Sequence, residues 1–102
     1  MSGRKMAYYP IMIDLTGKSC LVVGGGEVAA RKVASLVEAG ARVRVIAPEI
    51  DSRIVSSDAV ELEHRPFEPG DTNGFVIVFA ATDDRELNRR VSEEASSRGV
   101  PV

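Results

Sequence analysis

Three consecutive glycines, Gly24-Gly25-Gly26, stand where an apolar run gives way to an alanine-rich one, in LVVGGGEVAARK (Leu21–Lys32). Glycine weakens the interior of a helix or a strand, so the triplet reads as a turn between two elements. Before it, Ser19–Val23 is short and continuously apolar, as expected of a strand buried on both faces of a parallel sheet. After it, Glu27–Ala39 reads as a helix. Val28, Val33, Leu36 and Val37 supply an apolar stripe, with Ala29, Ala30 and Ala39 as small packing residues. Gly40 is the expected stop. A buried strand that enters a helix over bare backbone restricts the chain to α/β architectures.

The rest of the chain keeps that alternation. Ala41–Ala47 places Val43 and Val45 on one face and Arg42 and Arg44 on the other, which predicts a second strand. Pro48 ends it, and Glu49–Ser57 is expected as a short helix or an irregular crossover. Val60–Arg65 alternates again, with Val60, Leu62 and His64 sharing a face. Pro66–Gly74 has loop composition, and Phe75–Ala81 is the most strand-like run of all. Asp83, with Glu86 three residues on, is expected to cap a helix reaching about Arg98, its narrow apolar face formed by Leu87, Val91 and Ala95. Gly99 stops that helix and Val100–Val102 begins another strand. Tyr8–Leu15, apolar and extended, is expected as an edge strand or an arm. The fold class is α/β, a Rossmann-like doubly wound parallel sheet. A length of 102 residues fits one small domain over 1–102. A strand only begun at Val102 predicts that the domain is truncated there.

Charge and cysteine content narrow the function. Thirteen basic against fifteen acidic residues leave a net charge of −2, so nothing electrostatic favours nucleic acid or an anionic membrane as partner. A single cysteine excludes an internal disulfide and a cysteine metal cluster, and Cys20 is expected to be a buried core thiol. No apolar run approaches the ~18 residues of a membrane span. MSGRKMAYYP lacks the apolar stretch of a secretory signal. The expected location is cytoplasmic.

The glycines suggest a ligand. Gly24-x-Gly26-x-x-Ala29 matches the dinucleotide fingerprint in its G-x-G-x-x-G/A form, and it lies between a strand and a helix, as that fingerprint requires. Gly24 permits the tight turn, Gly25 adds freedom there, Gly26 leaves room for a pyrophosphate, and Ala29 keeps helix and sheet close. The helix start, Gly26-Glu27-Val28, offers unpaired N–H groups to phosphate. A nucleoside-type ligand such as S-adenosylmethionine and a purely structural turn are the alternatives. Glu49, twenty residues past Ala29, is placed to meet a ribose, although backbone groups at Pro48 and Glu49 can do the same and a solvated loop glutamate is the plain alternative. No arginine or lysine lies at 46–50 to take a 2′-phosphate, which favours NAD over NADP; Arg53 leaves that open. Across the sheet, Ala80–Asp84 should supply small residues against which a cofactor lies flat, with helix capping the simpler role for Asp83 and Asp84. A lone His64 reads as structural or solvent-facing, and no residue is assigned as catalytic.

Taken together, YYPIMIDLTGKSCLVVGGGEVAARKVASLVEAGARVRVIAPE and FAATDDRELNRRV resemble the N-terminal NAD-binding domain of the siroheme synthase and precorrin-2 dehydrogenase family, some members of which double as sirohydrochlorin ferrochelatases. The resemblance runs from about Tyr9 to Val102. It implies oxidation of the tetrapyrrole precorrin-2 to sirohydrochlorin with NAD as hydride acceptor, in a homodimeric enzyme. It also implies that Gly24–Val28 hold the pyrophosphate, Pro48-Glu49 lie along the adenosine ribose, and Ala81-Thr82 sit near the nicotinamide half. Arg31-Lys32 could reach anionic propionates or simply face solvent. The family continues past RGVPV into an Asn-Val-Val-Asp-like strand whose aspartate is tied to its chemistry, and this sequence stops short of it. By itself the chain is therefore expected to be the cofactor half of an enzyme. The competing function is a non-catalytic nucleotide-sensing module that regulates a partner, although such modules usually carry a carboxylate where this chain has Ala47.

Overall fold

The computed structural model describes residues 14–102. Its elements are β1 (Ser19–Val23), α1 (Glu27–Glu38), β2 (Arg42–Ala47), β3 (Val60–His64), β4 (Ile77–Ala80) and α2 (Arg85–Ser97). The four strands form one parallel sheet in the order β3-β2-β1-β4. β1 is central, paired with β2 from Ser19↔Arg42 to Val23↔Ile46 and with β4 from Cys20↔Ile77 to Val23↔Ala80.

The unbroken apolar character of β1 follows from this position. Successive side chains point to opposite faces, so a central strand covered on both sides has no solvent-facing position. Cys20 and Val22 pack with Ala29, Val33 and Leu36 of α1, and with Val43 and Val45 of β2. Leu21 and Val23 pack on the other face with Ile46, Val78 and with Val91 and Ala95 of α2. The side chains from Cys20 to Val23 are all buried, and the Cys20 thiol is buried as expected, which pushes its pKa up. The α1 stripe faces inward at Val33 and Leu36, while Val28 and Val37 remain exposed. Gly40 ends that helix at φ +84°, a conformation that favours glycine.

Several boundaries differ from the sequence expectation. Residues 48–59 form turns and bends, which is the irregular crossover of the two alternatives expected there, anchored by the buried Ile54. The strand expected over Phe75–Ala81 is shorter, Ile77–Ala80. The cap of α2 is Asp84 rather than Asp83: its carboxylate accepts from the Leu87 N–H at 3.1 Å. Residues 100–102 are not a regular strand, but Pro101 O accepts from the Val78 N–H at 2.9 Å, which aligns them with the free edge of β4. The expected arm at Tyr8–Leu15 lies outside the described residues apart from Asp14 and Leu15.

The 65–74 loop is held by two carboxylates. Asp71 accepts from Arg65 Nη1 at 2.8 Å, from Nη2 at 2.9 Å and from the Glu68 N–H at 2.6 Å. Glu94, on α2, accepts from the Gly70 and Thr72 N–H groups at 3.0 and 3.2 Å and from the buried Thr72 hydroxyl at 2.6 Å. The Arg65 guanidinium holds the Asp71 carboxyl below its ordinary pKa. Burial pushes Glu94 up, but the hydrogen bonds from Thr72 and Gly70 outweigh it and the net shift is downward. A lowered folded-state pKa contributes stability above the unfolded value and loses it as pH falls through the folded one. Glu94→Gln should therefore lower stability at pH 7 by about 1–2 kcal/mol, because its amide would point a donor at donors. It should also flatten the loss of stability between about pH 5 and 3, read by urea denaturation across pH.

Candidate functional site

β1, β2 and β4 end on the same edge of the sheet, and the turns that leave them surround a cleft of about 880 Å³. The chain leaves β1 for β2 on one side, and β4 lies on the other. This is the crevice between oppositely directed connections where open α/β sheets take ligands. Every residue expected from the sequence to bind cofactor lines it: Gly24, Gly25, Gly26, Glu27 and Val28 after β1, Pro48 and Glu49 after β2, and Ala81 and Thr82 after β4. Ile50, Asp51 and Leu87 also line it, and sequence reasoning assigned them no part. Asp83 and Asp84, read mainly as helix caps, are in the lining too.

The three glycines do three different jobs. Gly24 has φ +137°, and a Cβ there would overlap the carbonyl of Ala81. Gly25 is not in the left-handed region; a Cβ there would overlap the Glu49 carbonyl and crowd Ile50 Cα at 2.9 Å. Its role is close backbone approach rather than freedom at the turn, sealed where the Asp51 N–H donates to Gly25 O at 2.6 Å. A Cβ on Gly26 would meet nothing within 4 Å. Only this third glycine borders open space, where a ligand could come against the backbone. Gly26 is also the N-cap of α1 and provides no side-chain acceptor, so the first-turn N–H groups have no side-chain cap. Ala29 is fully buried, as close helix–sheet packing requires.

The charge of the cleft is one-sided. Glu27, Glu49, Asp51, Asp83 and Asp84 line it, and among the described residues no lysine or arginine does. Asp51 is bound to Arg53, accepting from its Nε at 2.9 Å, its Nη2 at 2.7 Å and its backbone N–H at 2.8 Å. The Arg53 side-chain hydrogen bonds, with its N–H, hold the Asp51 carboxyl well below the usual carboxylate range. That pairing ties up the one cation the sequence left available for a 2′-phosphate. Phosphate in this cleft would meet backbone N–H groups and the positive end of α1 instead of a side-chain cation. His64 is exposed at the end of β3 and does not line the cleft. Neither does Lys32, which lies 5.3 Å from the Phe79 ring centroid, nor Arg31, 4.0 Å from Glu27. Among the described residues no His, Cys, Asp and Glu cluster could hold a metal ion, and no helix is long and apolar enough to cross a membrane.

A parallel sheet with helices on both faces and a glycine-lined crevice at its strand ends defines a dinucleotide-binding α/β domain. Comparison with known proteins places it: the NAD(P)-binding family model NAD_binding_7 matches residues 11–102, and the chain belongs to that family. It is 47% identical over 100 residues to siroheme synthase of Pseudomonas aeruginosa (strain LESB58), covering 95% of this chain and 22% of the relative. It is 48% identical over 100 residues to siroheme synthase of Methylobacillus flagellatus, covering 95% and 21%. Among solved structures, SirC, a precorrin-2 dehydrogenase, superposes with a TM-score of 0.75 at 31% identity, over 82% of this chain and 44% of that one. The chain thus spans about a fifth of the length of the curated relatives it matches.

The glycine geometry predicts opposite outcomes within one triplet. Gly24→Ala and Gly25→Ala should each lower stability by about 2–4 kcal/mol, since backbone must move to admit the methyl group. Gly26→Ala should cost under about 1 kcal/mol, the N-cap difference alone. Chemical denaturation of the three variants checks this.

Proposed function

We propose that this chain is the NAD-binding domain of a precorrin-2 dehydrogenase that serves siroheme formation. In that reaction precorrin-2 is oxidised to sirohydrochlorin, one hydride passing to NAD and one proton to solvent. The observation that carries the reading is the convergence of all nine expected residues on one cleft, with Gly26 open beside uncapped N–H groups. Gly24–Val28 would take the pyrophosphate, Pro48 and Glu49 the adenosine ribose, and Ala81 and Thr82 the nicotinamide half. The buried Ala47 at the end of β2 brings no carboxylate to the ribose, which counts against the nucleotide-sensing alternative.

The domain's part in catalysis is orientation. NAD supplies the redox chemistry when bound. The protein fixes where its ring lies relative to the macrocycle and shields one side of it. Glu49 and the Arg53-paired Asp51, with no cation in the lining among the described residues, disfavour a 2′-phosphate and support NAD over NADP. In a longer protein such as the siroheme synthases this chain resembles, other segments would complete the tetrapyrrole pocket and a dimer contact, and the same protein could also insert iron.

Gly26→Asp tests the phosphate loop. Bulk and negative charge in the open space should weaken NAD binding by about 100-fold or more, with the fold retained. Unchanged affinity in calorimetry would sink the assignment.

A further inference from the structure

Thr82 ends the turn that closes the β4 side of the cleft, and its polar groups are already engaged. Its N–H donates to Asn88 Oδ1 at 3.2 Å, its hydroxyl donates to the same oxygen at 2.6 Å, and its carbonyl accepts from Asn88 Nδ2 at 2.8 Å. The hydroxyl oxygen also accepts from the Asp84 N–H at 3.1 Å. One asparagine, four residues into α2 and partly buried, therefore holds both backbone groups and the side chain of Thr82. From the other side, the Ala81 N–H donates to Val23 O at 2.8 Å, and the Ala81 carbonyl lies against Gly24. The Ala81–Thr82 peptide is gripped between β1 and α2. Asn88 does not line the cleft itself.

Resting on the NAD reading of the cleft, we propose that Asn88 is a positioning residue: it fixes the Ala81–Thr82 backbone as the wall on which the nicotinamide half of the cofactor lies. Thr82 then contributes shape rather than a hydrogen bond, because its one hydroxyl hydrogen is taken up within the turn, by Asn88 Oδ1 at 2.6 Å or the Asp84 carbonyl at 3.0 Å. Only an amide can serve at position 88, since the site needs an acceptor for two donors and a donor for one carbonyl. An aspartate would keep the shape but set an oxygen against the Thr82 carbonyl.

The test compares NAD with ADP-ribose, which lacks only the nicotinamide, in calorimetric titrations of the 102-residue chain and its Asn88→Ala and Asn88→Asp variants. Asn88→Ala should weaken NAD about tenfold, roughly the loss of one to two hydrogen bonds' worth of order, and leave ADP-ribose within about twofold. Asn88→Asp, isosteric and so less disturbing to packing, should show the same selective loss. An equal loss for both ligands, or no loss for either, would overturn the positioning role, the first meaning a general effect on the fold. Failure of the unaltered chain to bind ADP-ribose would instead overturn the cleft reading, and the proposal with it.

Discussion

Close backbone contact at Gly24 and Gly25 is the constraint on which the rest of the site depends. Three strand ends can surround one cleft only if the turn leaving β1 lies directly against the turns leaving β4 and β2. Gly24 touches the Ala81 carbonyl and Gly25 touches the Glu49–Ile50 backbone. Any side chain at either position would drive those turns apart and open the crevice to water. The contacts also link the parts of the site. The wall at Ala81–Thr82, the segment Glu49–Asp51 and the glycine turn form one backbone unit, held by the Asn88 bond to the Thr82 carbonyl and the Asp51 N–H bond to Gly25 O.

Electrostatics complete this arrangement by omission. With no lysine or arginine in the lining among the described residues, a pyrophosphate bound here would rely on backbone N–H groups and the α1 dipole, which act over short range and only at one end of the site. Carboxylates elsewhere in the lining leave a second phosphate without a favourable place. The result matches a family of NAD(P)-binding domains and accords with the NAD reading of this member. On the proposed reading, the domain's own task is to bind and orient the dinucleotide and to exclude an extra phosphate.

Much of this was legible from periodicity. The sheet and both helices follow from where apolar residues recur, and the cleft follows from glycines placed between a buried strand and a helix. What was not legible depends on contacts distant in sequence. Gly25 looks like turn freedom until Glu49 and Ile50 are seen against it. Asp83 fits the capping-box spacing with Glu86, yet Asp84 caps, because Thr82 is held by Asn88 and the helix can start only after that clamp. Asn88 itself stood in the family-like AATDD…LN pattern with no visible task, since its partner is six residues away across a turn. Asp51 was missed for a different reason: Arg53 is only two residues on, but no periodic pattern marks a pairing made within a turn.

A cleft built from backbone donors and lined by carboxylates should select a dinucleotide without a 2′-phosphate. Parallel calorimetric titration of the 102-residue chain with NAD and NADP tests it most directly. Saturable NAD binding, at least about tenfold tighter than NADP, is the expected result. Equal or tighter binding of NADP would contradict it, and would mean that Arg53 leaves Asp51 to meet the phosphate.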